Sequence, residues 1–315
     1  MFVEEHLQEL RRDRFTPNAL LRYGRSLVRL VRFELEANPG AVRSIWSVAL
    51  GFFALAFIAA AALAIGYERT LAYEFFLDTS VAILVAFGAV TLSVGRLRDR
   101  DGYRLSAINV PIALTLLRLS LVPALALFLM DRHYVLALIV FGVAALSDVA
   151  DGWTARRWNQ VTQLGTVLDP LVDIVFNLAV FASLTLSGLL SPWVLGIAVV
   201  RYGLLLVGAA CMYLFVGPVR IRPTASGRLT GVIAASLVFF LIGVFALGGS
   251  ARDTLAPLTR TALAVLMSAC VLQVVAIGWW NLRSVRGEAA IEPEAALGEL
   301  QATGRVVGDV RWGRE

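Results

Sequence analysis

The chain contains no lysine; all 28 of its basic side chains are arginine. A phosphate-gripping P-loop lysine and a Schiff-base lysine are therefore excluded outright. Histidine is almost as scarce. The two present, His6 and His133, lie outside the main acidic cluster at 148–173, so a Ser-His-Asp hydrolase or a histidine metal site has little to work with. The two cysteines, Cys211 and Cys270, sit inside apolar runs and are expected to pack as small hydrophobes. Charge of either sign is sparse, at 16% of residues, while hydrophobic residues reach 58% and mean hydropathy is +0.76. That balance excludes an ordinary soluble domain of 315 residues and indicates a polytopic membrane protein.

What the chain does have is apolar runs. Spans are expected at 45–66, 75–95, 109–130, 134–150, 164–188, 192–216, 229–248 and 258–282. The first two are each long enough to cross a hydrocarbon core of about 30 Å. Ahead of them, residues 1–43 are arginine-rich and carry no signal-peptide apolar stretch. There Arg22, Arg25, Arg29 and Arg32 share one helical face, with Leu20, Leu27, Leu30, Val31 and Leu35 mostly around the other side. This pattern fits an amphipathic helix on an anionic membrane surface, or a solvated helix packed on the protein.

Arginine placement sets an orientation. With a cytoplasmic N-terminus, 22 arginines fall in inside segments and four outside (Arg69, Arg132, Arg252 and Arg260), leaving Arg118 and Arg201 within spans. The positive-inside rule then places both termini on the cytoplasmic side of an inner membrane. The same distribution accounts for the net charge of +5 without a nucleic-acid partner.

The residues that carry chemistry are concentrated in the stretch SDVADGWTARRWNQVTQLGTVLDPLVD, from Ser147 to Asp173. Asp148 and Asp151 are spaced i, i+3 and Asp169 and Asp173 i, i+4, so on helices each pair shares a face. Four carboxylates at the mouth of an apolar bundle repel one another and are poorly solvated unless something cationic holds them. All-oxygen ligands suit a hard divalent ion, Mg²⁺ or Mn²⁺, rather than zinc. Acidic residues on two solvated helix ends would be the bland alternative, but nothing would then require the fixed spacing.

The pattern D-x2-D-G-x2-A-R-x8-G-x3-D-x3-D, formed by Asp148, Asp151, Gly152, Ala155, Arg156, Gly165, Asp169 and Asp173, resembles the signature of the CDP-alcohol phosphotransferases. Upstream, NVPIALTLLR from Asn109 to Arg118 is similar to the segment that precedes this signature in the family. The resemblance implies an all-α catalytic bundle of six transmembrane helices over 105–283. Residues 1–104 would add an amphipathic helix and two extra transmembrane helices, and 284–315 a polar cytoplasmic tail.

It also implies a reaction. An alcohol attacks the lipid-side phosphate of a CDP-linked donor, usually CDP-diacylglycerol, and CMP leaves. Two divalent ions about 3.5–4 Å apart would bridge the pyrophosphate. Asp148, Asp151 and Asp169 would be metal ligands, and Asp173 would complete the second metal site or take the acceptor's proton. Thr115, Arg118, Gly152, Ala155, Arg156 and Gly165 would line the nucleotide site, although the three small residues could equally permit close helix crossing. Arg118 stands nine residues, roughly 14 Å of helix, beyond Asn109, a depth that is costly for an unpaired arginine.

The acceptor is less clearly written. The run ARRWNQ looks most similar to bacterial phosphatidylglycerolphosphate synthases, which implies glycerol 3-phosphate, with Arg201, Arg220 and Arg228 as acceptor-binding candidates. Two departures stand against it: Ile174 occupies the position of a family lysine, and Ser226–Gly231 carries one basic residue where relatives have two. Arg228 could equally be a stop-transfer charge. Inositol phosphate, serine or another lipid alcohol is the next reading; a membrane carrier, or a family member that binds nucleotide without turnover, is the non-enzymatic one. Relatives are commonly homodimers, and that expectation carries over.

Overall fold

The computed structural model describes residues 16–99, 101–215, 225–250 and 252–276, and within them every regular element is helical. In chain order these are α1 (Pro17–Ala37), α2 (Pro39–Gly66), α3 (Arg69–Leu92), α4 (Val110–Ser120), α5 (Val122–Met130), α6 (Tyr134–Arg157), α7 (Gln163–Leu186), α8 (Pro192–Phe215), α9 (Ala225–Leu247) and α10 (Arg252–Ala276). A single 3-10 turn, Val94–Arg96, follows α3. Among the described residues, seven segments are long and apolar enough to cross a membrane, with α4 and α5 together forming one of them. The protein is thus an all-α polytopic membrane protein; seven of the eight apolar runs correspond to α2, α3, α4–α5, α6, α7, α9 and α10, and the run at 192–216 falls on α8, which is not among the seven long spans.

The boundaries shift where local chemistry overrides hydropathy. The run at 109–130 is broken at Leu121, because Pro123 opens α5 and supplies no N–H to continue the ladder of α4. The run at 134–150 continues as helix to Arg157, so Asp148 and Asp151 lie on the last turns of a helix rather than beyond it. Asn109 caps α4 by accepting from the Ile112 N–H at 3.3 Å, and Thr162 caps α7 by accepting from the Gly165 N–H at 3.0 Å. The polar tail expected from residue 284, and His6, lie outside the described residues. Cys270 is buried and unpaired.

Two apolar clusters hold the bundle. One joins α5, α6, α7, α8, α9 and α10 around Phe128, Phe181, Leu241 and Met267. The other joins α2, α3 and α4 around Ile45, Phe87, Ile112 and Leu116. Helices α2 and α3 belong to both: Ala60 and Leu63 of α2 join the first cluster, Phe75 stacks on Phe128 of α5 with ring centroids 5.8 Å apart, and Phe87 meets Phe52 of α2 edge-on at 5.2 Å. Outward positions carry large apolar side chains such as Leu50 (70% exposed), Phe57 and Leu146, as lipid-facing surfaces do.

The end of the bundle at which α3 stops, α4 starts, α6 stops and α7 starts is laced together by polar contacts. Asn109 donates its side-chain N–H to the Gln160 carbonyl at 2.7 Å, and the Gln163 N–H donates to the Arg98 carbonyl at 3.0 Å. Asp99 and Thr162 form an isolated antiparallel bridge. This is the end at which the acidic motif opens.

Candidate active site

Three helices meet here, and each contributes side chains in register. From the last turns of α6 come Asp148 and Asp151; from the first turns of α7 come Asp169 and Asp173; from α4 come Thr115 and Arg118. Arg118 is buried, and its guanidinium reaches three of the four acids. Its Nη2 donates to Asp151 Oδ2 at 2.8 Å, and its Nη1 lies 2.5 Å from Asp148 Oδ1 and also donates to Asp173 Oδ1. Thr115, fully buried, serves the remaining one. Its Oγ1 lies 3.1 Å from Asp169 Oδ1, 3.3 Å from Asp151 Oδ2 and 3.0 Å from the Pro111 carbonyl. The hydroxyl has one proton, so it donates to one of these at a time.

The four aspartates therefore point toward one another, though they differ in setting. The Asp151 side chain is 10% exposed, whereas Asp148 and Asp173 are about half open, at 53% and 49%. Asp173 is further fixed at its backbone, whose carbonyl accepts from Asn177 Nδ2 at 2.7 Å. The result is a pocket mouth with a closed floor at Arg118 and Thr115 and an open acidic rim.

Charge count decides what the rim can hold. Arg118 is the only cation that ion-pairs with these acids among the described residues, so four carboxylates face one guanidinium. No three acidic, histidine or cysteine side chains there are spaced to chelate a single ion as they stand, because the guanidinium lies between Asp148, Asp151 and Asp173. The donor set still fits hard cations in kind: it is all oxygen, it is partly open, and its negative charge exceeds what Arg118 neutralises.

The small residues of the motif have distinct neighbours. A Cβ at Gly165 would stand 3.1 Å from Thr162 Oγ1 and 3.9 Å from both Asp169 Oδ2 and an Ile112 side-chain carbon, so the missing side chain lets the α7 cap close against α4. A Cβ at Gly152 would meet only the guanidinium of Arg156, with Nη1 at 3.3 Å. Arg156 is exposed and lies over this glycine at the rim, and Ala155 beside it is half-buried.

The other expected site residues fall differently. Arg201, on α8, makes no ion pair with an acid among the described residues. Its Nη1 lies 3.5 Å from Met267 Sδ, its guanidinium carbon sits 5.2 Å from the Tyr202 ring centroid, and its buried Nε has no partner. Arg220 lies outside the described residues, and Arg228 is described only as a backbone position in the first turn of α9. Sequence reasoning missed the direct clasp of the acids by Arg118, which it assigned to the nucleotide. It also missed Thr162 and Asn109 as caps, although Asn before Val-Pro and Thr before Gln-Leu-Gly are both cap signals.

The sequence profile of the CDP-alcohol phosphatidyltransferases matches residues 108–284, more than half of the chain. The chain belongs to the CDP-alcohol phosphatidyltransferase family. The matched segment includes every residue of the acidic site. A CDP-diacylglycerol–glycerol-3-phosphate 3-phosphatidyltransferase from Aquifex aeolicus is 32% identical over 138 residues, covering 43% of this chain and 76% of that protein. The cardiolipin synthase (CMP-forming) of Rattus norvegicus is 39% identical over 83 residues, 26% of this chain and 28% of the relative. The Streptomyces coelicolor cardiolipin synthase (CMP-forming) is 39% identical over 71 residues, 22% and 33% of the two chains. This family member thus spans about a quarter to a third of the cardiolipin synthases it matches.

Proposed function

We propose that the protein transfers a phosphatidyl group from CDP-diacylglycerol to an alcohol, releasing CMP, in phospholipid synthesis. The observation that carries this reading is the convergence of Asp148, Asp151 and Asp173 on Arg118, and of Asp151 and Asp169 on Thr115, at one end of a membrane-spanning bundle. The arginine distribution supports a cytoplasmic setting for that end, where a CDP-activated lipid would present its nucleotide.

Phosphoryl transfer asks a protein mainly for positioning and for neutralising spread negative charge. Asp148, Asp151, Asp169 and Asp173 would hold Mg²⁺ or Mn²⁺, which when bound neutralises the donor's pyrophosphate charge. Arg118 and Thr115 orient the carboxylates from beneath. Arg156, exposed and lying over Gly152, would donate to a donor phosphate. Asp173, half open and fixed at its backbone by Asn177, accepts the proton of the attacking hydroxyl. The acceptor oxygen bonds to the lipid-side phosphorus, the bond from that phosphorus to the bridging oxygen breaks, and CMP carries the bridging oxygen away.

Glycerol 3-phosphate is the acceptor we favour, supported by the Aquifex relative and by the unpaired buried Nε of Arg201, which can serve a phosphate. A lipid alcohol is the second reading, favoured by Ile174 and by the relatives named cardiolipin synthase. Purified protein incubated with CDP-diacylglycerol, Mg²⁺ and separately glycerol 3-phosphate, inositol phosphate, serine or phosphatidylglycerol tests both, with lipid products read by mass. Acceptor-dependent CMP release is expected; its absence with every acceptor refutes the transferase reading.

A further inference from the structure

The family match begins at residue 108, so it gives no role to α1. Helix α1 is nevertheless bonded to the end of the bundle where the acids open. Glu34, nearly buried, accepts from Arg98 Nη2 at 3.2 Å and pairs with Arg104 Nη2 at 2.8 Å. Its side chain lies over Gly95, where a Cβ would stand 2.9 Å from Glu34 Cγ, so only glycine leaves room for this docking. Arg98 is held in turn by the Gly95 carbonyl at 2.9 Å.

The segment that Glu34 grips leads directly to the site. The Arg98 carbonyl accepts the Gln163 N–H, and Asp99 bridges to Thr162, the residue that caps α7. Asp169 and Asp173 stand on the first turns of that helix. A second strand of contacts runs from the α1–α2 junction. Asn38 donates to the Leu105 carbonyl at 2.8 Å, and Ser44 Oγ accepts from the Ile108 N–H at 3.2 Å, fixing the approach to α4 with its Thr115 and Arg118. The chain between α3 and α4 therefore joins α1 and the start of α2 to α7, which carries Asp169 and Asp173, and to α4, which carries Thr115 and Arg118.

The outward side of α1 has the chemistry of a membrane-surface ligand. Arg22, Arg25, Arg29 and Arg32 are exposed, and flanking them Val28 and Phe33 are exposed as well. Arg43 and Trp46 on α2, and Arg96 and Tyr103 between α3 and α4, are exposed too. Because Asn38 alone separates α1 from a membrane span, the end of α1 is fixed where α2 enters the bilayer. Arginines interleaved with aliphatic and aromatic side chains, at that level, complement anionic phospholipid headgroups.

We propose that α1 binds anionic headgroups and that Glu34, as a positioning residue, passes this binding through Arg98 and Arg104 to the cap of α7. The lipid composition around the enzyme then sets how firmly Asp169 and Asp173 are held. The effect on turnover rests on the transferase reading; the effect on the cap does not.

The test uses the full chain in vesicles of phosphatidylcholine, with or without about 30% phosphatidylserine. Amide hydrogen exchange reports on α1 and on Gln163 and Gly165, and CMP release is followed in parallel. In the native protein, phosphatidylserine is expected to slow exchange at α1 and at both cap amides by about fivefold or more, and to raise CMP release. Glu34→Gln should keep the protection of α1 and the activity in neutral vesicles while losing the response at the cap amides and in turnover. The double substitution Arg98→Gln/Arg104→Gln, which removes both partners of Glu34 and leaves the backbone carbonyl that accepts the Gln163 N–H, should behave alike and replaces Glu34→Gln should that variant fail to fold. The double substitution Arg25→Gln/Arg29→Gln should lose all three responses. Cap exchange indifferent to phosphatidylserine in the native protein, or still responsive in Glu34→Gln, overturns the proposal. Absent CMP release with an intact exchange response refutes the transferase reading alone.

Discussion

Substituting Arg118 with methionine isolates the electrostatics of the site. The change keeps a long side chain of similar reach but removes the one charge that balances the acids. The three pairs do not weigh equally. Asp148 and Asp173 are about half exposed, at 53% and 49%, so water screens them and each pair contributes about 0–1 kcal/mol. Asp151 is 10% exposed, and breaking its pair strands a carboxylate in a closed floor, a cost of roughly 3 kcal/mol or more. The total is about 3–5 kcal/mol. At roughly 2–4 °C per kcal/mol for a domain of this size, that lowers the thermal midpoint by about 10 °C in the presence of a chelator.

A divalent ion supplies the missing charge. Saturating Mg²⁺ at about 100 times its Kd would return about 2.7 kcal/mol, more than half of the loss. The assay is thermal unfolding in detergent, monitored by tryptophan emission, of the native protein and Arg118→Met in chelator and across a Mg²⁺ series. The variant is expected to melt lower in chelator and to gain more from Mg²⁺ than the native protein does. If Arg118→Met melts with the native protein in chelator, the guanidinium is not what holds the acids together. If Mg²⁺ leaves the variant unchanged, the acidic rim is not a cation site.

Further outcomes follow from the same geometry. Asp148→Asn and Asp169→Asn should each lower CMP release by about 10²–10⁴-fold while leaving the thermal midpoint within a few degrees, because both sit toward the open rim; near-native turnover in either contradicts their role. Thr162→Val removes the side-chain acceptor of the Gly165 N–H and should cost about 1 kcal/mol, read as a lowered midpoint together with faster exchange at that amide. Gly165→Ala should be more harmful than Gly152→Ala, since its Cβ meets the Thr162 cap and neighbours on α4 and α7, whereas at Gly152 it meets only the mobile end of Arg156. Gly152→Ala should therefore raise the KM for CDP-diacylglycerol with little change in stability, and equal stability losses in the two variants would refute that distinction.

Much of this protein could be read before its fold was known, because two kinds of information are local. Hydropathy over about 20 residues reports whether a helix can sit in lipid, and the spans from Ile45 to Ala276 follow from it without reference to neighbours. Helical periodicity places Asp148 with Asp151 and Asp169 with Asp173, and the spacing of eight motif residues identifies the family. Ends and breaks were less legible where a single residue governs them. The extension of α6 to Arg157 and the break before Pro123 arise from hydrogen bonding, which an average of hydropathy does not contain.

What only the tertiary structure decided are the partners across helices. The sequence sets Arg118 deep in a span but cannot say that three aspartates from two other helices close on it, since that depends on how α4 packs between α6 and α7. Likewise Glu34 is one acid among arginines until the fold brings Gly95, Arg98 and Arg104 beneath it, 61 or more residues along the chain. Spacing along a chain fixes which side chains share a face. Which faces meet is fixed by the packing of apolar surfaces such as Phe75 on Phe128, and it is that packing which turns scattered charges into a site.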